Sequence, residues 1–122
     1  MAPKKILVVD DDSDILEIVR KFLEPEGYEV FTAPDGPHAV EQANRHQPDL
    51  ILLDNRMPFF SGVWYCDAFK RKANTKNVPV ILISGFLDGE TVRKAMKAGA
   101  VDFLRKPFGR KDLLEIVRKH LR

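Results

Sequence analysis

The sequence predicts an α/β fold in which helices cover both faces of a five-stranded parallel sheet. Short, continuous apolar runs such as Ile6–Val9 and Leu50–Leu53 are typical of strands that are buried on both sides. Segments with apolar residues at helical spacing alternate with these runs along the whole chain. This alternation favours parallel strands joined by right-handed helical crossovers.

Each predicted element has its own signal. The strands are predicted at 6–9, 28–33, 50–53, 80–83 and 101–104, where apolar runs are bounded by charged or turn residues. The helices are predicted between Ser13 and Pro25, from the turn at 34–37 to about His46, from about Val63 to Ala73, from the cap Asp88 to near Gly99, and from about Arg110 to Leu121.

The length and composition indicate one globular domain that spans residues 1–122. The chain is 44% hydrophobic and 31% charged, which is ordinary for a folded domain. No apolar run approaches the roughly 20 residues that cross a bilayer, and the N-terminus lacks a signal-peptide pattern. A single cysteine, Cys66, excludes an internal disulfide. We therefore expect a cytoplasmic protein without a membrane segment.

The net charge of +2 conceals an asymmetry. Residues 1–61 carry 6 Lys/Arg and 12 Asp/Glu, a balance of −6, whereas residues 62–122 carry 14 and 6, a balance of +8. A basic half can indicate nucleic acid binding. The cations are spread over several segments without aromatic residues between them, so we expect solvated helix faces and no direct contact with nucleic acid.

Polar residues follow the predicted strands at the edge where their carboxyl ends meet. Asp10-Asp11-Asp12 follows the first strand, Asp54 the third and Ser84 the fourth, and Lys106 comes two residues after the fifth. Function gathers at this edge in open parallel sheets, near the point where the strand order reverses. If the strand order is 2-1-3-4-5, Asp10, Asp11 and Asp54 share one crevice.

Crowded carboxylates must either protonate or bind a cation. Mg²⁺ prefers such oxygen ligands together with water and phosphate, and Lys106 would add a further positive charge. A carboxylate that is held ionised in this way suits attack on phosphorus better than proton transfer. Taken singly, Asp12 is best explained as a helix cap and Ser84 and Lys106 as ordinary residues, so the signal is their coincidence on one edge.

The chain resembles the response-regulator receiver domains of two-component signalling, in particular those of the chemotaxis type. The resemblance rests on four segments that occur in the order and at the spacing typical of these domains: Ile6–Asp11, Leu52–Pro58 with Gly62, Pro79–Ser84, and Phe103–Phe108. It covers nearly the whole chain. It implies a flavodoxin-like, doubly wound sheet in the order 2-1-3-4-5. It also implies a phosphoacceptor domain rather than an enzyme with an external substrate: the domain would catalyse only its own phosphoryl transfer and dephosphorylation.

The resemblance also implies a metal and a phosphorylation site. Asp54 would be the phosphoacceptor and a ligand of Mg²⁺. Asp11 would bind the ion directly, Asp10 would act through water, and the backbone carbonyl of Arg56 would be a further ligand.

The remaining implied roles concern transfer and output. Ser84 and Lys106 would contact the phosphoryl group, with Lys106 preceding a cis peptide bond to Pro107. Phe103 would be the aromatic switch residue, which swings inward when Ser84 moves toward the phosphoryl group. The output surface would be the fourth helix, fifth strand and fifth helix. A histidine kinase or histidine phosphotransfer protein would be the donor, and a downstream effector protein the target.

Some residues depart from the pattern or have no predicted role in the chemistry. Arg56 and Phe86 are bulky residues beside the expected phosphoryl group. They would affect how water reaches that group and therefore how long it persists. The Phe59-Phe60 pair could pack as a lid or contact a partner. The three histidines lack the spacing of metal ligands and are predicted on the surface, Trp64 is predicted to be partly buried, and Cys66 is predicted in the core.

Two alternatives remain open from the sequence. A haloacid-dehalogenase-type phosphatase would use Asp10 as nucleophile, although the chain is short for that class and lacks a late acidic pair. A pseudo-receiver would keep the fold only as a protein-interaction module and take up no phosphoryl group. The sequence does not identify the kinase, the effector, the phosphoryl lifetime or the oligomeric state, nor whether the chain is part of a longer regulator.

Overall fold

The computed structural model describes residues 2–57 and 60–121. Its strands are Lys5–Val9 (β1), Glu29–Ala33 (β2), Leu50–Asp54 (β3), Val80–Ser84 (β4) and Asp102–Arg105 (β5). All neighbouring strands pair in parallel, in the order β2-β1-β3-β4-β5. The predicted sheet and its strand order are confirmed.

The helices are Ser13–Leu23 (α1), Gly36–His46 (α2), Gly62–Arg71 (α3), Gly89–Lys97 (α4) and Arg110–His120 (α5). A short 3₁₀ helix, Glu24–Glu26, follows α1 and ends at Gly27, whose φ of 94° lies in the left-handed region that favours glycine. None of the helices in the described ranges has the length and apolar character needed to cross a membrane.

Two apolar layers sandwich the sheet, because successive side chains of a strand point to opposite faces. Leu53 and its same-face neighbours pack against α2, α3 and α4, in a cluster that includes Cys66 as predicted. Leu52 and its same-face neighbours pack against α1 and α5. Every residue of β3 and β4 is buried, which explains why these strands are continuous apolar runs.

Side-chain caps set the start of four helices. Asp12, Asp35, Ser61 and Asp88 each accept a backbone N–H from the first turn of the helix that follows. The capping roles predicted for Asp12 and Asp88 are confirmed. Asp12 therefore orients the chain directly after the acidic pair that ends β1.

Several element boundaries differ from the prediction by one or two residues, and two of these differences have an identifiable cause. The third helix ends at Arg71 rather than Ala73, because Lys72 turns to an extended conformation and the Phe69 carbonyl accepts the Thr75 hydroxyl at 2.6 Å. The fifth strand begins at Asp102 rather than Val101, since Asp102 is the residue that pairs with Ile81 of β4. Neither shift follows from apolar periodicity, because both depend on contacts outside the segment.

A glycine keeps the start of α3 close to the end of β3. A Cβ atom on Gly62 would lie 2.5 Å from the carbonyl oxygen of Asp54 and 2.8 Å from Cα of Asn55. Both are backbone atoms, so they cannot move aside as a side chain would. By contrast, a Cβ on the exposed Gly85 would meet no heavy atom within 4 Å.

We expect Gly62→Ala to lower the free energy of unfolding by about 1–3 kcal/mol, because the added methyl overpacks against backbone. Gly85→Ala is the matched control and should change it by less than about 0.5 kcal/mol. Urea unfolding followed by circular dichroism measures both. Equal stability of the two variants would show that the β3–α3 junction is not tightly packed.

Candidate functional site

Three carboxylates meet where β1 and β3 end. Asp10, Asp11 and Asp54 each offer an oxygen, and these three atoms lie within 4.8 Å of one another. Asp10 is completely buried, Asp54 exposes 3% of its surface, and Asp11 is exposed. The predicted acidic crevice is therefore present, with two members inside the protein and one facing solvent.

One cation is placed between the two buried carboxylates. Lys106, which follows β5, brings its Nζ atom to 2.8 Å from Asp10 Oδ2 and 3.2 Å from Asp54 Oδ1. Its peptide bond to Pro107 is cis, as predicted. The Lys106 N–H also donates to the Ser84 carbonyl at 2.9 Å, which ties the β5–α5 loop to the end of β4.

The ammonium does not fully compensate for the burial of two acids. Burial, with the nearby charge of Asp10, raises the pKa of Asp54 to about 6. Burial likewise raises the pKa of Asp10, although Lys106 and the Asp12 N–H oppose this shift. Burial alone would lower the pKa of Lys106, but its pairing with both carboxylates raises it. The site holds a surplus of negative charge that a further cation would relieve.

One buried oxygen is poorly satisfied. Asp10 Oδ1 accepts the Asp12 N–H at 2.9 Å. Asp10 Oδ2 has Lys106 beside it as an ion pair, yet it is the one buried side-chain polar atom of residues 2–57 and 60–121 without a well-formed hydrogen bond. A buried carboxylate oxygen that has only this ammonium beside it, and that lies near two further carboxylates, suits a hydrated, hard divalent cation such as Mg²⁺.

The carboxylates open into a solvent-facing cleft of about 510 Å³. Arg56 and Phe86 line this cleft together with the acids and Lys106. Phe86 is 68% exposed and Arg56 is also exposed, so neither closes the opening. Both bulky side chains named from the sequence therefore lie beside the carboxylates, as predicted.

Ser84 is buried at the end of β4 but is engaged elsewhere. Its hydroxyl donates to the Phe86 carbonyl at 2.9 Å and accepts the Phe86 N–H at 3.1 Å. It lines a neighbouring cavity of about 440 Å³, together with Asn55, Arg56 and Thr91, rather than the acidic cleft. The hydroxyl would have to leave the Phe86 backbone before it could reach a group bound to Asp54.

Phe103 lies on β5, opposite Leu82 of β4, and packs partly buried against the apolar layer that includes α3 and α4. The preceding residue, Asp102, accepts from His120 at 2.8 Å and from Lys119 at 3.3 Å. His120 exposes only 17% of its side chain, so the prediction of a surface position was wrong for this histidine. Its partner is distant in sequence and gave no local signal.

The loop after Asp54 is only partly described. Pro58 and Phe59 lie outside the described residues, and the choice between a lid and a partner contact stays a prediction for Phe59. Phe60 is 47% exposed and stacks on Trp64, with ring centroids 4.4 Å apart, instead of lining the acidic cleft. Trp64 is 49% exposed, so about half of it is buried, in keeping with the predicted partial burial.

Asn55 organises the start of α3 in a way that the sequence did not indicate. Its side-chain oxygen accepts the Val63 N–H at 3.2 Å, and its carbonyl accepts the Gly62 N–H at 3.0 Å. Asn55 thus joins the end of β3 to the first turn of α3. The only local signal was a polar residue between the acid and a glycine, which does not by itself identify a partner.

Comparison with known proteins agrees with this geometry. Residues 6–118 match the response regulator receiver domain family. The chain is 36% identical over 119 residues to the phosphate regulon transcriptional regulatory protein PhoB of Klebsiella pneumoniae, and 39% identical over 118 residues to the transcriptional regulatory protein PrrA of Mycobacterium bovis. These matches cover 98% and 97% of the chain but only 52% and 50% of the relatives, so the chain spans about half their length.

Solved structures agree in fold. The chemotaxis protein CheY4 of Vibrio cholerae superposes with a TM-score of 0.95 at 32% identity, covering 98% of this chain and all of that one. The receiver domain of the sensor histidine kinase PA1611 from Pseudomonas aeruginosa, which has a magnesium ion coordinated in its active site cleft, gives 0.87 at 30% identity, with 98% of each chain covered.

These matches extend over nearly the whole chain, and the acidic cluster and lysine lie at the same edge of the sheet that the sequence indicated. Receiver domains are signalling domains of two-component systems rather than classical enzymes. This chain belongs to the response regulator receiver domain family.

Proposed function

We propose that residues 1–122 form a single phosphoacceptor domain of a two-component phosphorelay, with Asp54 as the phosphorylated residue. The observation that carries this proposal is the position of Asp54. Its carboxylate contacts Lys106, lies beside Asp10 and Asp11, and lines the open acidic cleft. A nucleophile needs this combination of a cationic partner and an accessible approach.

Asp54 is a better phosphoacceptor than Asp10. Asp10 is completely buried, with the Asp12 N–H on one oxygen and Lys106 beside the other. Asp54 retains a small accessible surface at the cleft. This difference argues against the phosphatase alternative, in which Asp10 would attack.

The acidic cluster supports a magnesium site. We assign Asp11, Asp54 and the backbone carbonyl of Arg56 as ligands, with Asp10 acting through water. When bound, Mg²⁺ would neutralise phosphoryl oxygens and the surplus charge of the carboxylates. The buried Asp10 Oδ2, which has only the Lys106 ammonium beside it, and the magnesium ion in the active site cleft of the PA1611 receiver domain both favour this metal.

The phosphoryl donor would be a histidine kinase or a histidine phosphotransfer protein. A carboxylate oxygen of Asp54 attacks the phosphorus, and the P–N bond to the donor histidine breaks. The electron pair of that bond stays with the imidazole nitrogen. Lys106 then pairs with the phosphoryl oxygens as well as with Asp10.

The signal would pass through Ser84 and Phe103. The Ser84 hydroxyl exchanges its bonds to the Phe86 backbone for one to a phosphoryl oxygen, and Phe103 moves toward the space behind it. This stabilises a minor conformation of the surface formed by α4, β5 and α5. An effector protein, rather than nucleic acid, would bind that surface, and we place the relay in the cytoplasm.

Incubation with acetyl phosphate and Mg²⁺ should add one phosphoryl group to the protein, because Asp54 has a cationic partner and an open cleft. Intact-protein mass spectrometry measures the addition. Asp54→Asn and excess chelator should each abolish it, whereas Asp102→Asn, remote from the cluster, should not. No uptake by the unmodified chain would support the pseudo-receiver alternative, and loss in Asp10→Asn alone would support the phosphatase alternative.

Lys106→Met should slow phosphorylation by about 100-fold, because the attacking site loses the group that neutralises developing phosphoryl charge. Lys111→Met, an exposed lysine on α5, is the matched control and should leave the rate unchanged. The rate is measured from the time course of phosphoprotein formation. An unchanged rate in Lys106→Met would remove the lysine from the proposed mechanism.

The raised pKa of Asp54 predicts a pH-dependent stability in the absence of metal. The folded state holds this proton more tightly than the unfolded state, so stability is lost as pH rises from about 4 to 6. Asp54→Asn should therefore be more stable than the unmodified chain at about pH 8, by at most about 3 kcal/mol, with the difference disappearing near pH 4.

Asp102, whose pKa is lowered rather than raised, provides the control. Burial opposes the shift, but bonds from His120, the Phe103 N–H and Lys119 lower the pKa of Asp102. Its stabilisation is present above the ordinary carboxyl pKa and is lost as pH falls below it. Asp102→Asn should be less stable than the unmodified chain at about pH 8. Urea unfolding across this range tests both variants, and a stabilised Asp102→Asn would contradict the assignment.

A further inference from the structure

A second cavity, of about 460 Å³, lies between α3 and α4, away from the acidic cleft. Val63, Trp64 and Ala98 supply its apolar wall. The two helices pack beside each other over the same sheet face, so the cavity is a groove between helices. We call it the α3–α4 groove.

The groove carries an exposed aromatic anchor. Trp64 is 49% exposed and stacks on Phe60, which is 47% exposed. The buried ring of Tyr65 meets Trp64 edge-on at 4.9 Å and supports it from the core side. Large aromatic side chains that are held rigid and left open to water are typical of protein contact sites.

The charges around the groove are mainly positive. Arg71, Lys94 and Lys97 line it with one acid, Asp67, so its own charged residues sum to +2 (three cations minus one anion). Arg71 pairs with Asp67 at 2.8 Å, and Lys94 pairs with Glu90 at 2.9 Å. Within the described part of the chain, no carboxylate lies within 4.0 Å of the Lys97 ammonium.

We propose that the α3–α4 groove binds an acidic amphipathic helix of a partner protein. Apolar side chains of that helix would pack on Val63, Trp64 and Ala98, while its carboxylates would face Arg71 and Lys97. A helix with one apolar face suits a groove between two helices, where anchors at i, i+3 or i+4 and i+7 can reach the floor. The basic border supplies the complementary charge.

Charge and packing favour a peptide over nucleic acid. Stacking platforms for bases need an open ring face within a continuous basic track. Here Phe60 already covers Trp64, and the carboxylates of Asp67 and Glu90 stand among the cations. These acids would repel a phosphate backbone, whereas a helix can place its few carboxylates opposite the cations alone.

This surface overlaps the proposed phosphorelay output only on α4. That output uses α4, β5 and α5, whereas the groove also requires α3, and neither Asp54 nor its cluster lines it. Binding should therefore be measurable on the unphosphorylated chain. Failure of Asp54 to accept a phosphoryl group would leave this inference intact. Failure of the groove to bind a peptide would likewise leave the proposed phosphorylation of Asp54 intact.

The test is selection from a displayed library of helical peptides about 14 residues long, half acidic and half basic on their polar face, against the full chain. We expect acidic sequences to be enriched. Their binding should shift the fluorescence of Trp64, which is the single tryptophan, and the NMR signals of α3 and α4. Affinity should fall as salt is raised, because the complementary charges are exposed.

Variants locate the site. Trp64→Ala and Lys97→Glu should each weaken binding of a selected peptide by about 10-fold or more, measured by anisotropy of the labelled peptide. Met96→Ala, which removes a 62% exposed side chain from the same helix, and Lys111→Glu on α5 are the matched controls and should bind normally. Circular dichroism shows whether each variant is folded. If Trp64→Ala unfolds, Lys97→Glu still tests the proposal.

Several outcomes would overturn the proposal. One is enrichment of basic peptides or of none. Another is a selected peptide whose NMR shifts lie on α5, or that binds Lys97→Glu as well as the unmodified chain. Competition by oligo-uridine with higher affinity than the peptides would assign the groove to nucleic acid, and concentration-dependent dimerisation lost in Trp64→Ala would assign it to a second copy of the chain.

Discussion

The contact of Lys106 with Asp10 and Asp54 is the interaction on which the site depends. One ammonium partly compensates for two buried carboxylates, and burial together with the nearby charge of Asp10 raises the pKa of Asp54 to about 6. Burying a carboxylate costs free energy, and strongly shifted pKa values of this kind cluster at functional sites. The same surplus charge makes the cleft suitable for a divalent cation, and the proposed nucleophile, Asp54, lies next to its cationic partner. Stability and chemistry therefore oppose each other at one point.

The sheet brings these groups together because its strands are parallel and its order reverses beside β1 and β3. Carboxyl ends of all strands then meet at one edge, where side chains are free of the sheet's own packing. Gly62 and Asn55 hold the start of α3 against the end of β3. Arg56, which lines the cleft, lies between these two contacts in the chain.

The two halves of the chain contribute differently. The acidic half supplies the three carboxylates, whereas the basic half supplies Lys106 and the helices α3, α4 and α5. Ser84, also in the basic half, is bonded to the Phe86 backbone rather than directed into the cleft. In the proposed mechanism, the added charge at Asp54 would draw this hydroxyl away from the backbone. The carboxylates of the site thus come from one half of the chain, whereas its cation and the proposed contact surfaces come from the other.

The sequence by itself determined the alternation of parallel strands and helices, the capping by Asp12 and Asp88, and the placement of Asp10, Asp11, Asp54 and Lys106 at one edge of the sheet. These follow from local periodicity and from strand ends that must share an edge. The strand order, which makes β1 and β3 neighbours, was expected only from the resemblance to receiver domains. Only the tertiary structure decided the turn of the Ser84 hydroxyl, the end of α3, the partial burial of His120 against Asp102 and the extent to which Trp64 is exposed. Each depends on a partner distant in the chain, and a local pattern carries no information about which distant atom will satisfy a side chain.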